Sequence, residues 1–339
     1  MKKKFKMLTA LLISSVTAIS MFGCSNNSSK TTEGKVTVRL NEVTRSVFYA
    51  PMYIAMKEGF FADNGIEIDL QTGQGADKTM QAVLSKSADI GFCGPEQTIY
   101  INNQGREDYP VLFAQLTQKD GSFLVGRSKE DNFKWENLKG KNIIGGRPGG
   151  VPEMAFEYAM KHNNINPKTD VNMVTNIDFA ATAGAFKGGT GDYVALFEPT
   201  ASVLQKEGSG TILASVGEES GLIPYTCYFT TKSYMDKNPK VIQGFTNAIY
   251  KGQEWFFSHS TEEVADSIID YFPGTDKEII MSVIDNYKEI DAIAHTPEIK
   301  EENLNRLMDI ITDYDASLMP QRPQFSKIVD NSYAEKAAK

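Results

Sequence analysis

The chain has 339 residues, with 43 Asp and Glu against 35 Lys and Arg and a formal charge of −8. That balance speaks against nucleic acid as a partner, which needs a basic footprint. The length is enough for two lobes.

The first residues are set aside before the fold is read. Lys2, Lys3, Lys4 and Lys6 make a positive start, residues 8–22 are mostly apolar, and Gly23-Cys24 closes the run. This resembles a bacterial lipoprotein signal, in which the Cys is lipidated and becomes the new first residue. Met21 and Phe22 depart from the usual Leu and small residue. About 15 apolar residues are short for a span of roughly 20. Residues 1–23 are therefore expected to be a signal peptide, Cys24 a lipidated anchor, and residues 24–35 a polar, flexible tether. The signal takes four Lys and no acid with it, so the remainder is more acidic still. Cys93 and Cys227 supply neither a metal set nor a disulfide framework. They read as small buried apolar residues, with a bridge between them the weaker alternative.

Val36, Val38 and Leu40 alternate with polar residues and predict a strand. Residues 50–55 are apolar nearly all round and predict a buried helix, with Pro51 in its first turn and Gly59 after its end. Asn64-Gly65 is a turn, and Ile66, Ile68 and Leu70 alternate again. A strand–helix–strand unit of this length implies a parallel pair in an α/β sheet. Ligands on such sheets bind beyond the carboxyl ends of the strands, here residues 44–49. Residues 77–86 predict a helix with Asp77 as its N-cap, 90–92 a strand, 95–103 a helix, and 111–116 and 122–126 strands.

The pattern restarts at Leu138. Residues 142–144 read as a strand, 145–152 (GGRPGGVP) as a Gly/Pro loop and 153–163 as a helix. Strands at 171–174, 193–197, 212–216 and 226–230 follow, with helices at 180–186 and 199–206 between them. The rest is helical, with capping-box patterns at Ser260–Glu263 and Thr275–Glu278. The layout is two α/β lobes with a helical tail. Lobe 1 is expected over 36–120 and 229–335 and lobe 2 over 121–228, with crossings near residues 120 and 228.

The runs APMYIAMKEGFFADNGIEIDL, GQGADKTMQAVLSKSADIGF and LKGKNI resemble the solute-binding proteins of ABC importers, in the sulfonate, nitrate, taurine and thiamine-pyrimidine branch. Order and spacing match over about residues 36–230. The resemblance implies a type II periplasmic-binding-protein fold: two doubly wound lobes close on a small solute in the cleft between them, and the closed complex docks on a membrane permease with its cytoplasmic ATPase. A monomer is expected, without cofactor or metal.

Under that resemblance the cleft loops supply the site. Ser46, Phe48 and Tyr49 precede the first helix, and their rings could stack on a flat ligand or pack the core. Gly75 and Asp77 precede the next helix, and Gly94 and Glu96 open the third. Gly146, Arg147 and Gly149 lie in the Gly-rich loop, where backbone N–H groups and a helix start suit an anion and Arg147 suits a carboxylate or sulfonate. Glu198 and Tyr225 come from lobe 2 and the return crossing. Two ligand classes follow. An amino-bearing heterocycle such as a thiamine-precursor pyrimidine would use Asp77, Glu96, Glu198 and the aromatics. A sulfonate, taurine or nitrate would use Arg45, Arg147 and the helix start, although the loop lacks the small hydroxyl residues usual for sulfonates. Like charges in a closed cleft repel, so the three acids favour the heterocycle.

An enzyme is not expected. His162, His259 and His295 lie outside the cleft loops, and no nucleophile elbow, Walker loop or metal-spaced His pair occurs. The fungal pyrimidine synthase relative is an enzyme, but its clustered-Cys motif is missing from this sequence. A ligand sensor without transport is the alternative of another class.

Overall fold

The computed structural model describes residues 34–339. The signal segment, Cys24 and nearly all of the tether lie outside the described residues.

Ten strands are present among them: β1 (Val36–Glu42), β2 (Ile66–Thr72), β3 (Ile90–Cys93), β4 (Pro110–Thr117), β5 (Ser122–Gly126), β6 (Asn142–Ile144), β7 (Asn172–Val174), β8 (Tyr193–Phe197), β9 (Thr211–Ser215) and β10 (Thr226–Thr231). The alternation in β1 and β2 pairs them in parallel, from Val36 opposite Ile66 to Glu42 opposite Thr72. The helix between them, Ala50–Lys57, buries Ala50 through Ala55, as an all-round apolar helix must. Gly59 (φ 80°) and Gly65 (φ 70°) take the left-handed turns that end this unit.

The strands form two five-stranded mixed sheets, in the orders β2-β1-β3-β10-β4 and β7-β6-β8-β5-β9. The two-lobed α/β expectation holds, and the two lobes share a topology. Each sheet contains one antiparallel strand, β10 in the first and β5 in the second, and each is the strand that follows a crossing. A strand delivered from the other lobe enters from the end at which the parallel strands finish, so it must run against them. The first crossing falls at residues 118–121. The return precedes Thr226, earlier than the reading at 228, because Thr226–Thr231 is already paired with β4.

The tail covers lobe 1 and reaches lobe 2. Helix Pro239–Ser258 lies so close to Ala50–Lys57 that a Cβ on Gly252 would sit 2.2 Å from the Pro51 carbonyl oxygen. The Ser260 capping box forms with Glu263 as expected. The second does not: helix Lys277–Glu289 starts one residue later, with Asp276 as N-cap, and the Asp276 carboxylate pairs with Lys206 of lobe 2 at 2.8 Å. Helix Glu301–Asp315 reaches lobe 2 through Lys161 and Asp313, at 2.7 Å. The main apolar core runs from lobe 1 through the tail into the facing side of lobe 2, and a smaller one around Trp135, Phe156 and Met160 belongs to lobe 2. Among the described residues no helix is long and apolar enough to cross a membrane.

Cys93 and Cys227 face one another across β3 and β10 as free, fully buried thiols. Beside them, a Cβ on Gly91 would lie 2.2 Å from the Phe229 ring. Gly91→Ala is therefore expected to cost about 1–3 kcal/mol through overpacking, read as a lower midpoint in urea unfolding.

Candidate functional site

The loop after β1 is pinned by a buried acid. Glu42 accepts hydrogen bonds from Arg45 Nε (2.7 Å), Tyr53 Oη (2.6 Å) and Thr72 Oγ1 (2.8 Å). Arg45, an anion candidate by sequence, is thereby tied to Glu42. Ser46 Oγ accepts the Phe48 N–H and donates to the Glu198 carbonyl at 3.2 Å, which joins the two lobes. Phe48 is 1% exposed and packs on Tyr287 (4.5 Å between centroids), Tyr225 (5.9 Å) and Phe197 (6.4 Å). Tyr49 is also buried, edge-on to Phe92. Of the two aromatic roles open by sequence, Phe48 fills the packing one, at the seam between the lobes.

Glu96 begins helix Glu96–Asn103 directly after β3 and is 1% exposed. Its Oε1 accepts from Gln97 at 3.2 Å, and its Oε2 has no hydrogen-bond partner. Burial pushes the carboxyl up to about 7, against the opposing effects of Gln97 and Arg147. One turn later the Tyr100 hydroxyl donates to the Gly149 carbonyl at 2.9 Å. The face of this helix that carries Glu96 and Tyr100 therefore looks across at the Gly-rich loop of lobe 2. Gly94 is needed here: a Cβ would sit 2.1 Å from Glu96 Oε2.

The Gly-rich loop is folded onto an acid of its own lobe. Gly146 N–H donates to Glu153 Oε2 at 2.6 Å, and Glu153 Oε1 is buried without a partner. Burial pushes Glu153 up to about 7, and Glu157 adds to the shift. The N-terminus of helix Val151–His162 thus already holds a carboxylate where an anionic ligand was expected. Arg147 is exposed, and Gly149 takes φ 73°. At the first crossing, Asp120 Oδ1 accepts from Ser122 N (2.7 Å) and Oγ (2.5 Å), while Oδ2 faces the Tyr225 hydroxyl. Burial pushes Asp120 up to about 6.

Of the other predicted acids, Asp77 lies on the surface and Glu198 at the seam, where its carbonyl accepts from Ser46. Asp77 is exposed in the first turn of helix Ala76–Leu84 and does not cap it; Gly75, at φ 154°, holds that position. A short acid cannot cap from two residues inside the helix. Glu198 is buried, and its carboxylate accepts from Ser202 N (2.8 Å), Ser202 Oγ (2.7 Å) and Asn286 Nδ2 (2.8 Å). It starts helix Thr200–Lys206 and ties it to the tail, which leaves it little capacity for a ligand donor. Sequence reasoning missed Asp120, Glu153, Tyr100 and Phe179. Asp120-Gly121 at a crossing was a readable turn signal. Phe179, 56% exposed and 5.7 Å from the Phe197 ring, carried none.

A family profile described as "NMT1/THI5 like" matches residues 47–263. The chain is 44% identical over 299 residues to YtlA of Bacillus subtilis, whose name records a provisional role as a binding protein; the match covers 88% of this chain and 89% of that one. It is 21% identical, over 84% of each chain, to the 4-amino-5-hydroxymethyl-2-methylpyrimidine phosphate synthase THI13 of Saccharomyces cerevisiae. Its fold is similar to that of the alkanesulfonate-binding protein SsuA from Xanthomonas axonopodis pv. citri bound to MOPS, with TM-score 0.70 at 14% identity over 88% of this chain and 99% of that one.

Glu96 and Glu153 hold protons more tightly folded than unfolded. Between about pH 4.5, the ordinary carboxyl value, and about pH 7, the folded chain binds the extra protons, so their contribution to stability falls as pH rises. Glu96→Gln is expected to raise the melting temperature at pH 8 relative to wild type, with the difference shrinking by pH 5. A difference independent of pH in a thermal-melt series would contradict the burial argument. Glu198→Ala is expected to cost about 2–4 kcal/mol by leaving Asn286 and the helix start unpartnered, measured as a shift in unfolding midpoint.

Proposed function

We propose, from the premise that this chain belongs to the NMT1/THI5-like family, that it is the extracytoplasmic solute-binding lipoprotein of an ABC importer and that its solute is a flat heterocycle rich in N–H donors, of the thiamine-precursor pyrimidine type. The observation that carries the ligand class is the buried Glu96 carboxyl with an unpartnered oxygen at the cleft. Glu153 supports it, with a further buried oxygen that has no protein donor. Once ionised, above about pH 7 for Glu96 and Glu153, these carboxyls only accept hydrogen bonds. A ligand bearing amino or ring N–H groups satisfies them, whereas a sulfonate or nitrate adds like charge in a low-dielectric cleft. The half-buried Phe197, with Phe179 and Tyr225 beside it, offers aromatic faces on which a flat ring can stack.

In this reading the lobes part at residues 118–121 and 221–225, the solute enters, and contacts to both lobes stabilise the closed form for delivery to the permease. Glu96 and Tyr49 act from lobe 1, Asp120 and Tyr225 from the crossings, and Gly146, Arg147 and Gly149 from lobe 2. Lipidation of Cys24 holds the protein to the outer face of the membrane.

The test is thermal-shift titration of the full chain with 4-amino-5-hydroxymethyl-2-methylpyrimidine and, in parallel, MOPS as an alkanesulfonate. The pyrimidine is expected to raise the melting temperature and the sulfonate to leave it unchanged. Glu96→Gln should weaken pyrimidine binding by about 10–100-fold, the usual loss when a charged acceptor is neutralised. A shift with the sulfonate alone would reverse the ligand assignment. Labelling with a fatty-acid analogue in a bacterial host is expected to mark the wild-type chain and not Cys24→Ala.

A further inference from the structure

Cys93 closes β3, and Cys227 follows directly on the second crossing. They are opposite partners in the antiparallel β3–β10 pair. Opposed residues in such a pair have Cα atoms about 4.5 or 5.5 Å apart, with side chains on the same face of the sheet. A disulfide needs Cα atoms about 4.4–6.8 Å and Cβ atoms about 3.5–4.5 Å apart; opposed residues meet the first condition, and a non-hydrogen-bonded pair, with its closer side chains, approaches the second. The register is held from both faces. Phe92 stacks on Tyr228, at 4.2 Å and 15° between planes, and the Phe229 ring fills the space above Gly91. A slip of one residue would undo both contacts, so the two sulfurs are kept opposite one another.

We propose that Cys93 and Cys227 form a cross-strand disulfide that staples lobe 1 at the base of the second crossing. The chemistry is thiol–disulfide exchange with an organic disulfide R–S–S–R. One protein thiolate attacks the donor, its S–S bond breaks, and one RS⁻ leaves and takes up the proton. The second protein thiolate then attacks the protein sulfur of the mixed disulfide and expels the second RS⁻, which takes up the other proton. The protein loses two electrons and two protons, and the donor becomes two RSH. Burial, with a further contribution from Glu96, pushes both thiols well above the usual range, so exchange on the folded chain is slow. The bond therefore forms as the strands first pair during folding and is shielded from reductants afterwards.

The loop closed by this bond runs from residue 93 to residue 227 and contains the whole second sheet. Cross-linking so long a loop restricts the unfolded chain strongly. In the folded chain the bond lies on the lobe 1 side of the crossings, so it stiffens the base and links neither residues 118–121 nor 221–225 directly.

The test uses the full chain with Cys24→Ser, so that two thiols remain. It is unfolded and refolded either in a glutathione redox buffer or in excess reductant, then alkylated, digested and analysed by mass spectrometry. The expected result is a linked peptide pair carrying Cys93 and Cys227, with a melting temperature about 5 °C or more above that of the reduced chain. Cys93→Ala and Cys227→Ser should each abolish the difference between the two buffers. Should either variant fail to fold, the oxidised and reduced forms of the parent chain decide the matter alone. Two free thiols after oxidative refolding, glutathione adducts in place of the link, or a link that leaves the melting temperature unchanged or lower would each overturn the proposal.

Discussion

Where the chain first passes between the lobes, the Phe48 ring lies flat against Gly121, and a Cβ at that glycine would sit 2.5 Å from it. Tyr287, from the tail, stacks on the Phe48 ring and donates its hydroxyl to the Gly121 carbonyl at 3.2 Å, while accepting the Glu198 N–H at the same distance. One aromatic stack thus joins the first lobe, the crossing, the second lobe and the tail. It depends on a residue without a side chain at the crossing and on a tyrosine whose polar end finds both of its partners in the fold. A second interlobe contact, from the Tyr100 hydroxyl to the Gly149 carbonyl, lies on the helix after β3.

The seam also explains why the acids near it are perturbed. A stack of Phe48, Phe197, Tyr225 and Tyr287 excludes water from Asp120, and the packing of β3 against β10 does the same for Glu96. Desolvation is the leading cause of the upward shift at Glu96, Asp120 and Glu153 alike. Buried carboxyls with an unmatched oxygen weaken a fold. They are among several buried polar groups without a protein partner, Gln115, Gln253 and Tyr228 included, and it is their position near the interlobe seam that gives them weight in the proposed reading.

Much of the frame was legible from residue patterns. The alternation of Val36, Val38 and Leu40, the all-apolar stretch from Ala50 to Ala55 and the restart at Leu138 were enough to lay out two α/β lobes. What escaped was set by partners distant in sequence. Nothing around Thr226 says that its strand inserts antiparallel between β3 and β4. The pattern at Thr275 satisfied the capping rule, but Lys206, 70 residues away, pairs with Asp276 at the N-cap position instead. The Gly-rich loop read as an anion cradle because local sequence cannot reveal that Glu153 folds back onto Gly146. Phe48 and Glu198 were read as cleft residues from their loop positions, and only burial and hydrogen bonding show that one packs and the other anchors a helix.

The ion pairs at the rim bear on how such a device lets go. Lys161–Asp313 and Lys206–Asp276 join lobe 2 to the tail at 2.7 and 2.8 Å, and their members are exposed apart from the half-buried Lys161. Pairs of that kind are worth about 0–1 kcal/mol and are weakened by salt. In the proposed opening and closing of the lobes, such pairs would guide the two halves into register and add little resistance to their parting. A receptor that must surrender its cargo on each cycle benefits from edges that steer without gripping, so that tenacity rests with the occupant and release can be fast once it departs.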